Sequence, residues 1–358
     1  MKATIRNTVL MTSLAAAGMC AHAEGISFYA LLDGGIAHTS ISGAGTTASQ
    51  TEFVTGGFAP NFVGVTGEKS LDKGFSAGFK LEQGFLLNNA RQNQSTPSNS
   101  RFFFGDDSAF NRQANLYVKN SSGTLAVGTQ PNIAFNSVLM ADPRSGSNFG
   151  SSLAAVVITG GLGTIDNGSV SLTSAPMSGL TLAAQYVPKE NATATTDNGS
   201  RLSAVYTTGN LGATAATYTN KSTSATPDSS GTVLGATYKF GSFTAKALNL
   251  SQKNGETVSL KTNGLGGSYA LSAETSLDFG TFKSTKTNYS MSTQAVGVYH
   301  KFLKDLTIYG QYASVKNNGV SGASATPYNF APPTIITGNV TAGQTATTLK
   351  VGFLYSFF

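Results

Sequence analysis

Catalysis by side chains needs a base, a nucleophile or a metal cage, and this chain is poor in all three. Its histidines are His22, His38 and His300, and its single cysteine is Cys20. Nucleophilic chemistry requires an imidazole steadied by an acid, yet neither His38 nor His300 has a carboxylate close by in sequence. No G-x-S-x-G elbow occurs in a strand–helix setting, and two histidines do not suffice for a zinc site. Gly264-Leu265-Gly266-Gly267 is followed by no helix that would receive a phosphate. No catalytic residue, metal site or cofactor is therefore expected. What remains is charge at alternate positions, Lys80 and Glu82 among them, which acts through its field rather than by making bonds.

Alternation implies strands. In Phe75–Phe85, the residues Phe75, Ala77, Phe79, Leu81 and Phe85 oppose Ser76, Gly78, Lys80 and Glu82. Ala114, Leu116 and Val118 oppose Gln113, Asn115, Tyr117 and Lys119. Val296, Val298 and Phe302 oppose Thr293, Tyr299 and Lys301, and Ile308 and Tyr312 oppose Tyr309 and Gln311. The chain ends on Leu349, Val351, Phe353, Tyr355 and Phe357 against Lys350, Gly352, Leu354 and Ser356. A period of two marks half-buried strands.

Composition narrows the class. Charged residues are 11% of the 358, less than half the ~25% of an ordinary soluble domain. Gly is abundant at 41, Phe and Tyr number 22 and 13, and Trp is absent. Such a chain is not disordered, since disorder goes with high net charge and few aromatics. No stretch after residue 23 reaches the ~18 apolar residues of a spanning helix.

The N-terminus speaks for export. Lys2 and Arg6 precede an apolar stretch, Val9–Met19, and then Ala21-His22-Ala23, the three parts of a secretory signal peptide. Residues 1–23 are expected to be removed, leaving a single domain over 24–358 whose net charge falls from +6 to +4. Cys20 leaves with them, so the exported chain carries no thiol, as suits an oxidising compartment. A balance this mild and thinly spread does not suit nucleic acid.

Connection lengths separate a soluble sandwich from a membrane barrel. Short connections are expected at Ser70–Gly74, Asn120–Gly123, Pro176–Gly179, Gly209–Leu211, Gly241–Ser242, Ala273–Thr275 and Leu303–Lys304. Long ones are expected at Ser40–Pro60, Leu87–Asn111, Pro131–Asp166, Pro188–Gly199, Asn220–Gly231, Gln252–Asn263, Ser284–Met291 and Lys316–Thr345. Seven short turns interleaved with eight long loops imply sixteen strands, and their segregation is that of an outer-membrane barrel. The fold expected is an all-β, sixteen-stranded antiparallel transmembrane barrel with short periplasmic turns and long extracellular loops. Apolar faces then meet lipid and polar faces meet water, so no buried hydrophobic core is expected, and a closed ladder satisfies every backbone group. A barrel this wide leaves an aqueous channel.

The residues resemble the trimeric, sixteen-stranded general porins of Gram-negative bacteria, particularly their proteobacterial branch. Gly64-Val65-Thr66-Gly67-Glu68-Lys69-Ser70-Leu71-Asp72-Lys73-Gly74 is similar to the family's G-x-x-G-x-E-D-L-G-x-G, and Phe79-Lys80-Leu81-Glu82-Gln83-Gly84-Phe85 to its F-x-L-E-x-G-F. Phe28-Tyr29-Ala30-Leu31-Leu32-Asp33, Phe110-Asn111-Arg112-Gln113-Ala114 and Gly123-Thr124-Leu125-Ala126-Val127-Gly128 match further motifs in order. The resemblance implies a homotrimer in the outer membrane that passes small hydrophilic solutes, with a third loop folded into the barrel. Pro131–Asp166 is third among the long connections, and its Asp142-Pro143-Arg144 matches the family's D-P there.

The resemblance also implies a constriction where loop acids face wall bases. Candidates for the pore lining are Lys80, Glu82, Arg112, Asp142, Arg144, Phe62, Asp33 and Tyr117. Arg112 falls on outward parity, where a loop ion pair or subunit contact competes with pore lining, and Asp142 and Arg144 could simply pair with each other. Three basic positions of the family are neutral here: Phe62, Thr129 and Ser171 stand where arginines are usual. A weakly selective pore, or one tuned to neutral or aromatic solutes, is expected. The final Phe357 and Phe358 resemble the signal read by the barrel-assembly machinery. A substrate-specific or plugged channel is the alternative; a surface adhesin or an outer-membrane hydrolase is a more distant one.

Overall fold

The computed structural model describes residues 25–44, 46–87, 109–153, 162–189, 196–222, 228–255, 258–286, 289–319, 324–325 and 340–357. Residues 1–24, including the expected signal peptide, and Phe358 lie outside them.

The strands are β1 (Gly25–Gly43), β2 (Thr46–Thr55), β3 (Phe62–Ser70), β4 (Ser76–Gly84), β5 (Gln113–Asn120), β6 (Gly123–Pro131), β7 (Ile165–Ser174), β8 (Leu180–Val187) and β9 (Thr196–Thr208). They continue with β10 (Leu211–Ser222), β11 (Ser229–Phe240), β12 (Phe243–Asn254), β13 (Val258–Ala270), β14 (Thr275–Lys286), β15 (Tyr289–Leu303) and β16 (Leu306–Asn317). A two-residue pair, β17 (Ser324–Ala325) and β18 (Val340–Thr341), precedes the last strand, β19 (Thr345–Phe357). One helix of note, α1 (Ile133–Ala141), stands between β6 and β7.

Neighbouring strands pair antiparallel in chain order, and β19 returns to β1 from Ala30↔Phe357 to Ser42↔Thr345, closing the ring. Seventeen strands fill sixteen ring positions, because β2 and β3 share one: β2 pairs with the upper half of β1, Gly34–Gly43, and β3 with its lower half, Gly25–Leu31. Residues 56–61 interrupt that position. No described helix is long and apolar enough to cross a membrane; the crossing is made by strands.

Period-two alternation reads out directly on the surface. Leu116, Val118, Leu125, Val127, Val170, Leu172, Val296, Val298 and the Leu349–Phe357 set are exposed on the outside, as a lipid-facing band requires. Two departures from the expected architecture follow from what covers each surface. First, the stretches Gln252–Asn263 and Ser284–Met291 are not long loops: pairing continues to Asn254↔Val258 and Lys286↔Tyr289. Their polar composition reads as loop, yet a paired ladder satisfies its backbone in water as well as in lipid. The same holds for Ser40–Pro60, most of which is the β1–β2 hairpin. Second, the barrel does have an apolar core. Ala134, Phe135, Val138 and Ala141 of α1 pack on the inward-facing Val233, Leu248, Leu250 and Leu260, so the inner wall is apolar where the helix covers it.

Candidate functional site: the lumen and its third loop

Residues 132–153 leave the wall after β6 and lie inside the barrel. Asn132 caps α1, its side-chain oxygen accepting from the backbone N–H of Ala134 and Phe135 at 2.9 and 3.1 Å. Gln185 Oε1 accepts from Ile133 N at 3.0 Å and ties the helix start to β8. The close seating of α1 needs a bare backbone opposite: a Cβ at Gly235 would lie 2.1 Å from that of Ala141.

Beyond the helix, residues 142–153 cross to β12–β16. Lys246 Nζ on β12 donates to Ser145 Oγ at 2.6 Å. Arg144 reaches β14 and β15, with Nε to Asp278 Oδ1 at 3.0 Å and a terminal nitrogen to the Tyr299 hydroxyl at 3.1 Å, and it also donates to the Phe149 carbonyl. Burial opposes the Arg144 charge, but Asp278 facing it, with Tyr299, more than offsets this and holds its pKa above the usual arginine value. Tyr299 OH donates in turn to Asp278 Oδ2 at 2.9 Å. Ser147 and Gln311 are joined at 2.8 Å. Gly150 has φ +65°, and a Cβ there would come within 2.9 Å of both the Ala295 and Ala313 methyls.

The loop ends its crossing at the interrupted ring position. Asn148 donates its backbone N–H to Phe58 O at 3.0 Å and its side-chain amide to Gly56 O at 2.7 Å. Residues 56–61 are held from the other side by Asp33, whose Oδ2 accepts from the N–H groups of Phe58 and Ala59 and whose Oδ1 accepts from Tyr309 OH. An inward belt from β8 to β16, then onto β1–β3, is thus stitched to one loop.

A model of the Gram-negative porin family matches residues 8–320. The chain belongs to that family. The porin is similar in fold to an anion-selective porin from Comamonas acidovorans, at 18% identity over 93% of this chain and 100% of that one, with a TM-score of 0.78. It is similar also to the outer-membrane OmpT of Vibrio cholerae, at 14% identity over 94% and 98% with a TM-score of 0.64. Salmonella typhi OmpF, solved with daunomycin, matches at 13% identity over 93% and 98% with a TM-score of 0.61. No curated protein matches the chain in sequence. The porin is an outer-membrane channel, and its barrel is the wall of that channel.

The residues singled out from sequence fall into three groups in this porin. Lys80, Glu82, Arg112 and Phe62 come together. Glu82 Oε1 lies 3.3 Å from Lys80 Nζ, and its Oε2 lies 3.3 Å from Arg112 Nε. Tyr29 OH donates to the same Glu82 at 2.8 Å, and the Arg112 guanidinium sits over the Phe62 ring at 4.7 Å. Arg112 precedes β5 by one residue, so strand parity does not govern it; it meets Glu82 on the neighbouring strand β4, contrary to its outward parity in sequence. Tyr117 lies elsewhere, at the short-turn end, donating to Glu68 at 2.9 Å beside Lys119.

Asp33, Asp142 and Arg144 form the third group and are fully buried, each at 0% exposure. The pairing of Asp142 with Arg144 is only partial: Asp142 accepts the Arg144 backbone N–H at 2.7 Å and Ser152 N at 2.7 Å, while the guanidinium goes to Asp278. Of the three neutral positions where the resemblance implied arginine, Ser171 is inward and donates to Gln130 Oε1 at 2.6 Å. Asp278, Tyr299, Lys246, Gln311 and Asn148 escaped sequence reasoning. Tyr299 and Gln311 stand on polar faces of alternating strands, which was the available signal; nothing local marks their loop partners.

Proposed function

We propose that this porin is an open, weakly selective diffusion channel for small hydrophilic solutes, and that it works as a homotrimer after removal of residues 1–23. One observation carries the selectivity. The whole segment 132–164 has only two ionisable residues, Asp142 and Arg144, and both are fully buried. The third loop therefore offers no charge to a passing ion, and a transverse field of opposed acids and bases has no acidic side there.

The Lys80–Glu82–Arg112 group is then the charged part of the constriction. Lys80 and Arg112 keep side-chain exposures of 27% and 15% against 3% for Glu82, so the water-facing balance is a small excess of cation. A slight preference for anions follows. A passive hole has no use for catalytic groups, and the two histidines support that reading: His38 and His300 are exposed on the outside and bond Thr51 at 2.8 Å and Thr275 at 2.9 Å. Phe357, exposed at the end of β19, suits recognition by the assembly machinery.

Planar-bilayer recording across a salt gradient tests the proposal. Openings in groups of three and a small anion-side reversal potential are the expected result. A folded barrel that does not conduct would transfer support to a plugged or substrate-gated channel. Phe62→Arg restores a basic residue beside Arg112, and a reversal potential moved clearly toward anions is expected. No movement would mean that Phe62 is remote from the ion path.

A further inference from the structure

The inner wall is wet on one side only. At mid-height the inward side chains Lys246, Asp278, Tyr299, Gln311, Lys350 and Asp33, on β12, β14, β15, β16, β19 and β1, are all buried. On β3, β4 and β6 the inward Thr66, Lys80 and Ala126 are only half-buried, and Arg112 beside them keeps 15% of its side chain exposed. Among the described residues the water path therefore runs off the barrel axis, along β3–β6.

The helix α1 forms the opposite bank of that path. With β2 and β3 counted as one position, β4 is third in the ring and β12 eleventh, eight of sixteen apart. Because α1 packs on β8–β12, its inner side looks across the lumen toward β4. Ala134, Val138 and Ala141 are buried against the wall. Ile133, Asn136 and Met140, three and four apart, share the other side of the helix and are half-buried. Met140 extends that bank toward β10, its Cε lying 3.2 Å from where a Cβ at Gly212 would be. An alkyl group, an amide and a thioether thus face the path, without charge.

The two banks differ in chemistry. Lys80 and Arg112 supply cations, while Glu82 between them is 3% exposed. The Arg112 guanidinium lies over the Phe62 ring at 4.7 Å; such a planar group stacks on rings and has two faces, of which Phe62 takes one. Across the path, a thioether makes favourable contact with aromatic rings. A hydrophilic anion satisfies only the cationic bank. We propose that this slot favours aromatic monocarboxylates, with the carboxylate at Lys80 and Arg112 and the ring between the second face of the Arg112 guanidinium and Met140 with Ile133. The proposal rests on the reading of the barrel as an open channel.

Bi-ionic reversal potentials of the full barrel in planar bilayers test it, since they count only the charged solute. Potassium benzoate is compared with potassium quinate, a carboxylate of similar size whose saturated ring carries hydroxyl groups. Wild type is expected to pass benzoate about fivefold better than quinate, the effect of roughly 40 Å² of apolar surface removed from water. M140Q is expected to lower that ratio to about twofold, and I133N takes its place should M140Q not fold. K80Q is expected to reduce both permeabilities together, about fivefold, and to keep their ratio. Cyclohexanecarboxylate, apolar but not flat, is expected to fall below benzoate. Chloride current with equal permeability to benzoate and quinate would overturn the proposal alone. So would an unchanged ratio in both M140Q and I133N, or cyclohexanecarboxylate passing as well as benzoate. Absence of chloride current from wild type would overturn the open-channel reading, and the proposal with it.

Discussion

Arg144→Ala is expected to raise both the mean and the noise of the single-channel current, because it frees the loop that narrows the lumen. Arg144 is fully buried and links residues 142–153 to two strands and to the loop's own backbone. Alanine leaves Asp278, 3% exposed, with Tyr299 and without the cation it pairs with directly. Breaking a buried pair by deleting one partner costs about 3–5 kcal/mol, because an uncompensated charge is left behind. Asp278→Asn is expected to act in the same direction and less strongly, since asparagine still accepts a hydrogen bond. Residues sharing a network are not additive, so R144A/D278N is expected to be no worse than R144A alone. Conductance traces and denaturation midpoints of the three variants check this. Wild-type current and midpoint in R144A would show that the remaining ties, Lys246–Ser145 and Asn148 with residues 56–58, hold the loop unaided.

That anchor also marks where sequence ceases to inform. Leu349–Phe357 is legible as a strand because its apolar side chains must face lipid, and lipid imposes a strict period. Above the membrane the constraint lapses: Asn254 and Val258 are paired strand ends, yet their polar surroundings look like loop. Inside the lumen the constraint reverses under α1, where Leu248, Leu250 and Leu260 are buried against the helix although their strand face should be wet. The partner of Arg144 is 134 residues away. Barrel closure brings the two together, and no local pattern could report it. Asp33 was legible as an inward carboxylate but not as the holder of residues 56–61, since a ring position interrupted in mid-wall has no period of its own. Fold class follows from what the solvent on each side demands, whereas the lining follows from which loop covers which wall.

The second large effect concerns charge. Glu82→Gln is expected to shift the reversal potential strongly toward anions. The substitution preserves shape and an acceptor for Tyr29 OH, and removes the single negative charge lying 3.3 Å from both Lys80 and Arg112. Local charge in the group goes from one net positive to two. A unit charge about 4 Å from the ion path in water contributes about 1 kcal/mol, roughly fivefold in local ion concentration, and salt above ~0.1 M screens part of it. Lys80→Gln is expected to move the potential the other way by a comparable amount, since it leaves Glu82 and Arg112 to cancel. The two variants together make the sign of the test unambiguous. Opposite shifts that shrink with rising salt are the signature of a charged constriction facing a loop with no exposed charge. Shifts of the same sign, or none, would mean that ions pass away from this group and that the lack of exposed charge on the loop does not set the preference.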